Sequence, residues 1–473
     1  PISQLLHTPL DQVNFVACQL VALLIAFWFR IYLNPSNAHP AVRHAFATFV
    51  GVYFAVFCFG WYSLHIFTLV LLCYCIMITA SVTNIHRYSF IMAMGYLTLC
   101  QINRVYIFNY GILSTDFSGP LMIITQKITT LAFQLHDGLG RSFKSLTKDQ
   151  QQYSINRVKM AVSIKTCLFG LGCQVVAQTM LINICNPRNL ITWDQCRAMM
   201  DCTFWPIEVV LYKLCVAAAC LVVFLTFTKA FPILYVVDET FINKTPFSIR
   251  LGYLYFATQV CKPKYYFAWT LADAVNNAAG YGFNGVDEKG KFRWDLISNL
   301  NIWNIETATS FKMYIDNWNI QTAAWLKRVC YDRAPKYRTG LTFMLSGVWH
   351  GAYPGYYFTF VTAIPVMLAA RAMRNNFRHF FITSTSWKFL YDTLTWIATQ
   401  LAICYTVAPF VLLAAGPSIQ LYKSLYFYLH VVCFLALIVL PTKPSGRAFS
   451  KGLEINHSEE KQNSADNTKN HLS

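Results

Sequence analysis

Residues 207 to 229 read IEVVLYKLCVAAACLVVFLTFTK, an almost unbroken apolar run. A helix rises about 1.5 Å per residue and needs about 20 such residues to cross the hydrocarbon core of a bilayer. The run is therefore predicted to span a membrane. Working outward, runs of similar character occupy residues 13–33, 43–62, 65–84 and 90–110 on one side and 247–272, 387–414 and 421–441 on the other, with a weaker one at 160–184. The pattern predicts one all-α polytopic membrane protein with about 10–11 transmembrane helices.

Composition agrees with that pattern. Hydrophobic residues make up 56% of the chain and charged residues 12%, the latter about half the share usual in soluble domains. Lysine and arginine number 38 against 21 acidic residues, a formal charge of +17. In a membrane protein such an excess decorates cytoplasmic loops and does not argue for nucleic acid. Two basic clusters, Lys327, Arg328, Arg333, Lys336 and Arg338, then Arg371, Arg374 and Arg378, flank apolar stretches. There they would meet anionic headgroups of membrane lipids or a polyanionic ligand. The sixteen cysteines are scattered through apolar segments without a CxxC pair, as small buried hydrophobes are. The chain opens at Pro1 with no initiator methionine, as expected of a processed or truncated start, and its internal spans suffice for insertion.

The apolar pattern breaks in three places. Ser114 to Lys148 carries Asp116, Lys127, His136 and Asp137 and is predicted to form interfacial or re-entrant helices. Asn276 to Arg338 sets Asn276, Asn277, Asp295, Asn299, Asn301, Asn304, Asn317 and Asn319 among aromatics, company expected in a buried cavity and not on a lipid-facing surface. Leu341 to Ala370 lies between the basic clusters and is interrupted at Pro354-Gly355. It should enter and return as two short or broken helices, with His350 deep at the break. Residues 443–473 read as a disordered polar tail.

Some of these residues could carry chemistry. His350 stands in Ser346-Gly347-Val348-Trp349-His350-Gly351. An imidazole titrates near neutrality, so one kept neutral among apolar residues is a competent general base, although a histidine on an apolar face is more often a packed residue with one hydrogen bond. Asn319, in Asn317-Trp318-Asn319-Ile320-Gln321-Thr322, could hold an oxyanion or orient a base, and equally could tie two helices together. Lys262 to Trp269, with Tyr265 and Tyr266, ends an apolar run and fits interfacial anchoring. In Trp294-Asp295 the carboxylate either orients a partner or closes a salt bridge. No histidine has an aspartate five positions on, and no GxSxG occurs, so the sequence holds neither an HxxxxD centre nor a serine elbow.

Taken in order, Pro263-Lys264-Tyr265-Tyr266-Phe267-Ala268-Trp269-Thr270-Leu271-Ala272-Asp273-Ala274, Trp294-Asp295, Trp318-Asn319 and Trp349-His350-Gly351 resemble the motifs of the membrane-bound O-acyltransferase family, in its lysophospholipid acyltransferase branch. Asp116-Phe117-Ser118-Gly119-Pro120 and Thr125-Gln126-Lys127-Ile128 add to the resemblance, which extends over about residues 1–150 and 207–442. It implies broken and re-entrant helices around a central reaction chamber, a multi-pass domain over 1–442 and the endoplasmic reticulum membrane. It implies His350 as the catalytic histidine, Asn319 as its polar partner, and substrate contacts from Trp318, Trp349, Tyr265, Tyr266, Trp294 and Asp295. It further implies transfer of an acyl chain from acyl-CoA, a substrate and not a cofactor, to the free hydroxyl of lysophosphatidylethanolamine or lysophosphatidylserine, with lysophosphatidylcholine a further candidate. The hydroxyl would attack the thioester directly, with no metal and no covalent enzyme intermediate, and a basic cluster would meet the phosphates of coenzyme A. Residues 152–206 lack the Leu-Glu-Tyr and Ala-Gly-Pro landmarks expected there. Competing expectations are a family member acting on a protein or a sterol, and a transporter that uses its broken helices for passage.

Overall fold

A computed structural model describes residues 10–33, 38–106, 117–147, 150, 151, 154 and 206–441. The atypical stretch 152–206, apart from Ser154 and Pro206, the weak span at 160–184 and the polar tail 443–473 lie outside the described residues. The helices are α1 (Leu10–Tyr32), α2 (Pro40–Phe59), α3 (Ser63–Thr79), α4 (Ile85–Tyr106), α5 (Ser118–Gly140), α6 (Ile207–Phe227), α7 (Glu239–Lys244) and α8 (Phe247–Ala278). After a loop come the short α9 (Ile302–Glu306), α10 (Phe311–Asn317) and α11 (Ile320–Leu326), then α12 (Arg338–His350), α13 (Pro354–Phe381), α14 (Thr385–Leu412), α15 (Ala415–Ser424) and α16 (Tyr428–Val439). Extended pairing among the described residues is limited to two isolated bridges, Val286 with Phe292 and Leu300 with Trp318.

Among the described residues, five helices are long and apolar enough to cross a bilayer, or six if α15 and α16, bent by 71°, form one broken span. The sequence pattern predicts ten or eleven spans over the whole chain, of which the one at 160–184 lies outside the described residues, and the rest of the difference has physical sources. Residues 45–79, expected as two spans, form one apolar length of 35 residues, because only the tight turn Gly60–Tyr62 separates α2 from α3. Helices α4 and α8 have the length but bury polar side chains, Ser89 and Gln101 on the first and Lys262, Asp273, Asn276 and Asn277 on the second. Their averaged polarity serves the protein interior and not lipid.

Helix α5 corrects the expectation for 114–148. From Ser118 it is one unbroken helix of 23 residues and not re-entrant pieces. Its neighbours enclose it, and its polar residues find partners across the interior. Gln126 Nε2 donates to Thr322 Oγ1 at 3.0 Å and Trp325 Nε1 donates to Thr129 Oγ1 at 3.0 Å. Asp137 is gripped by both terminal nitrogens of Arg333, at 3.1 and 2.5 Å, the two-pronged pairing that a buried carboxylate needs to offset its lost hydration.

The break expected near Pro354 is present. Helix α12 stops at His350 because Gly351 takes a φ of +138°, a conformation that side chains disfavour, while Pro354 opens α13 at a position where its missing N–H costs nothing. Of the two short or broken helices expected to enter and return, α12 is short, at 13 residues, whereas α13 runs for 28 with Pro365 inside it and is long and apolar enough to cross a bilayer. Gly355 lets α13 lie directly on the end of α14: its N–H donates to Leu413 O at 2.7 Å, and a Cβ there would meet Pro409 O at 2.1 Å.

Two large apolar cores result, beside a small cluster of Leu296 and Ile297. One joins α1 to α5 with Trp325 and Trp349. The other gathers α8, α10 and α13 to α16, with Trp318 and Phe343 against it. The chain passes from the second core to the first three times, within α8 between Tyr266 and Ala274, between Trp318 and Trp325, and between Phe343 and Leu345. Asn319 sits on the second of these passages, and His350 follows the third, directly after Trp349 of the first core.

Candidate active site

His350 ends α12 inside an aromatic shell. Its ring lies 4.6 Å from that of Trp349, 5.0 Å from Phe410, 5.2 Å from Phe360 and 5.7 Å from Tyr356, centroid to centroid. Among the described residues neither ring nitrogen has a hydrogen-bond partner. His350 is among the residues lining a cavity of about 140 Å³ whose walls include Gln101, Arg104, Ser118, Met122 and Tyr353. Such a histidine has apolar walls to exclude water and its proton-accepting capacity unspent.

The backbone ahead of it is pinned from two sides. Gln101 Nε2 donates to Trp349 O at 2.9 Å, and Trp349 Nε1 donates to Met122 O at 3.0 Å. Met122 belongs to α5, whose next turns hold Gln126 and Thr129 against the Asn319 segment. Positions 122, 126 and 129 fall on one face of a helix with 3.6 residues per turn. One side of α5 thus braces both the Trp349 segment and the segment that follows Asn319.

Asn319 begins α11 in the left-handed region, at φ 52° and ψ 52°, which asparagine tolerates better than most residues. A residue in that place usually offers its side chain to an exposed N–H of the first turn. Here Asn299 does so, its Oδ1 accepting the Gln321 N–H at 3.1 Å while its carbonyl accepts from Ile320 at 2.8 Å. The Asn319 carboxamide is released, and its Oδ1 is buried without a partner among the described residues.

The other sequence candidates fall into separate groups. Trp318, beside Asn319, packs in a cluster with Tyr265 at 5.7 Å, Tyr266 at 6.0 Å, Trp269 at 5.4 Å and Tyr314 at 6.1 Å. Tyr266 also donates to Glu306 Oε1 at 2.6 Å, and the buried Lys262 donates to Oε2 of the same carboxylate at 2.9 Å. Trp349 lies with His350. Trp294 and Asp295 are placed apart, on the loop after α8. The Trp294 carbonyl accepts from Lys213 at 2.9 Å and Asn277 at 3.2 Å, and half-exposed Asp295 pairs with Arg293 and Asn284, each at 2.7 Å. In the first basic cluster Arg333 turns inward to Asp137 and Lys327 lies 3.8 Å from Asp332.

Sequence reasoning missed the cavity walls. Gln101 and Arg104 were absorbed into the span read at 90–110, although an arginine in an apolar run is itself a signal of function; nothing local marked Asn299 as the cap. Among the described residues no group of three or more His, Cys, Asp or Glu side chains is placed to hold a metal ion.

Comparison with known proteins covers the same residues. Positions 60–408 match the model of the membrane-bound O-acyltransferase family. The chain is 57% identical to the membrane-bound glycerophospholipid O-acyltransferase 1 of Mus musculus, over 94% of this chain and 92% of that protein. It is 48% identical to the membrane-bound glycerophospholipid O-acyltransferase 2 of Homo sapiens, over 94% and 88%, and 37% identical to lysophospholipid acyltransferase 6 of Drosophila melanogaster, over 93% and 62%. A helical membrane domain, matched through the segment that bears the His350 cavity and Asn319, makes the chain a member of the membrane-bound O-acyltransferase family.

Proposed function

We propose that the protein transfers an acyl chain from acyl-CoA to the free hydroxyl of a lysophospholipid, in the remodelling of phospholipids, with His350 as general base and Asn319 as the group that steadies substrate or oxyanion. The observation that carries the reading is an imidazole in an aromatic shell with both nitrogens unengaged among the described residues, on a residue that lines the cavity. His350 accepts the hydroxyl proton as the oxygen bonds to the thioester carbon. Collapse of the tetrahedral adduct breaks the carbon–sulfur bond, and the imidazolium returns the proton to the sulfur of coenzyme A. An amide N–H from Asn319 offers a donor to the charge that builds on the carbonyl oxygen, and in a water-poor site such a donor counts for more than in water. Lysophosphatidylethanolamine and lysophosphatidylserine are the acceptors we favour, with lysophosphatidylcholine next, and the endoplasmic reticulum is the membrane we assign. Purified protein given oleoyl-CoA and each lysophospholipid should release one thiol per diacyl product formed. Absence of transfer to every lysophospholipid by a folded preparation overturns the proposal.

A further inference from the structure

Helix α6 is apolar along most of its length, yet it carries Lys213 in its second turn. An ammonium on a helix of this kind is costly unless it finds partners, and Lys213 finds two. Its Nζ donates to Asp273 Oδ2 of α8 at 2.7 Å and to the Trp294 carbonyl at 2.9 Å. Ion pairing between α6 and α8 accounts for the first contact alone. The same Asp273 oxygen also accepts from Ser298 Oγ at 2.6 Å, a charge-assisted hydrogen bond of the stronger kind, and Ser298 belongs to neither helix. The loop from Trp294 to Asn301 is thus a strap fastened to the buried pair at residues 294 and 298.

The far end of the strap grips the chain on both sides of Asn319. The Asn301 N–H donates to Asn317 O at 3.1 Å, Asn299 accepts from the N–H groups of Ile320 and Gln321, and Gln321 Nε2 reaches the Ser298 carbonyl at 3.4 Å. Between these contacts Leu300 and Trp318 pair as an antiparallel bridge. Asn319 stands between the clamps, its backbone held left-handed at φ 52°. Resting on the reading in which Asn319 donates to the oxyanion, we propose that Asp273, balanced by Lys213, is a positioning residue for Asn319. Through Ser298 it sets where the strap lies, and thereby where the Asn319 carboxamide meets the carbonyl oxygen. A donor stabilises that oxygen fully only at hydrogen-bond range of its transition-state position, so a shifted strap lowers turnover and leaves substrate binding as it was.

The experiment joins steady-state kinetics to a mutant cycle on the purified full-length protein, with lysophosphatidylethanolamine and oleoyl-CoA varied in turn. Ser298→Ala cuts the strap from Asp273 and leaves the Lys213 pair in place. It should lower kcat by about 10-fold, part of the roughly 100-fold that a misplacement of about 1 Å can cost. KM for both substrates should stay unchanged, the pattern of an interaction made only in the transition state. Ser298→Thr restores the hydroxyl at a half-buried position and should recover most of the loss. Asp273→Asn keeps the shape, weakens the acceptor and should lower kcat in the same way. In an Asn319→Ala background neither Ser298→Ala nor Asp273→Asn should lower kcat further, because residues that act as a unit are not additive. An unchanged kcat in either variant, a change confined to KM, or equal fold losses with and without Asn319 overturns the assignment. Absence of transfer by the unmodified protein, or full turnover by Asn319→Ala, overturns the parent proposal and this one with it, so the two failures are told apart.

Discussion

Asn299, and not Asn319, caps α11: the Asn299 Oδ1 accepts the N–H of Gln321 at 3.1 Å, and the Asn319 Oδ1 is left buried without a partner among the described residues. On the proposed mechanism the two asparagines divide structural and chemical work that one residue would otherwise have to share. Asn319→Ala should lower turnover by roughly 100- to 1000-fold, as loss of an oxyanion donor does, with little change in Tm. Asn299→Ala should lower stability by about 1 kcal/mol and cost less activity. Turnover and thermal unfolding in detergent, measured on both variants, check the division; equal activity losses would remove it.

The same contrast separates two histidines. His430 has both ring nitrogens engaged, by Thr362 at 3.1 Å and Tyr405 at 2.9 Å, whereas His350 has neither. His350→Ala should lose at least about 100-fold in transfer rate while unfolding at the temperature of the unmodified protein. His430→Ala should keep most activity and unfold earlier, because the buried Tyr405 hydroxyl loses its partner at about 1–3 kcal/mol. Retention of activity by a normally expressed His350→Ala protein would remove His350 from the mechanism.

Gly355 couples packing to the site. A methyl there would stand 2.1 Å from Pro409 O and 2.9 Å from Leu413 Cα, both backbone atoms, so α13 and α14 must separate. Tyr356 and Phe360 on α13 and Phe410 on α14 wall the His350 ring. Gly355→Ala should reduce Tm and turnover together, since displacing reacting groups by about 1 Å can cost on the order of 100-fold in rate. Parallel measurement of both quantities checks the coupling, and a drop in Tm alone would break it.

Arg333 is the fourth test. It reaches from the turn after α11 to the buried Asp137 of α5, and Arg141 lies 3.6 Å from the same carboxylate. Arg333→Ala leaves a buried charge with reduced compensation, and stability should fall by about 3–5 kcal/mol. Arg333→Ala with Asp137→Ala should unfold at a higher temperature than Arg333→Ala alone, because the stranded charge is gone. Thermal unfolding of the single and double variants decides it.

Much of this architecture was legible because lipid imposes a length rule on apolar runs, and residues 207–229 obey it plainly. His350 was legible for the same reason, as an ionisable group where none is expected, and Pro354 announced the break beside it. The polar content of α5 misled because its satisfaction is not local: Gln126 and Thr129 find their partners 196 residues away, and no periodicity records such a pairing. The cavity wall at Gln101 and Arg104 hid inside a run that passes for a simple span. Asn319 could be named from a motif, but its freedom from capping duty depends on Asn299, a residue that only the folded backbone brings to it.

Helix α5 bears neither proposed catalytic side chain, yet Met122 steadies Trp349 while Gln126 and Thr129 steady Thr322 and Trp325. The spatial offset between the two halves of the site is thereby written in units of helical pitch. One residue inserted between Met122 and Gln126 would swing all later side chains by about 100° and leave one half without its support. Length variation, which surface loops absorb with little loss, is therefore most damaging in an element that carries no chemistry of its own.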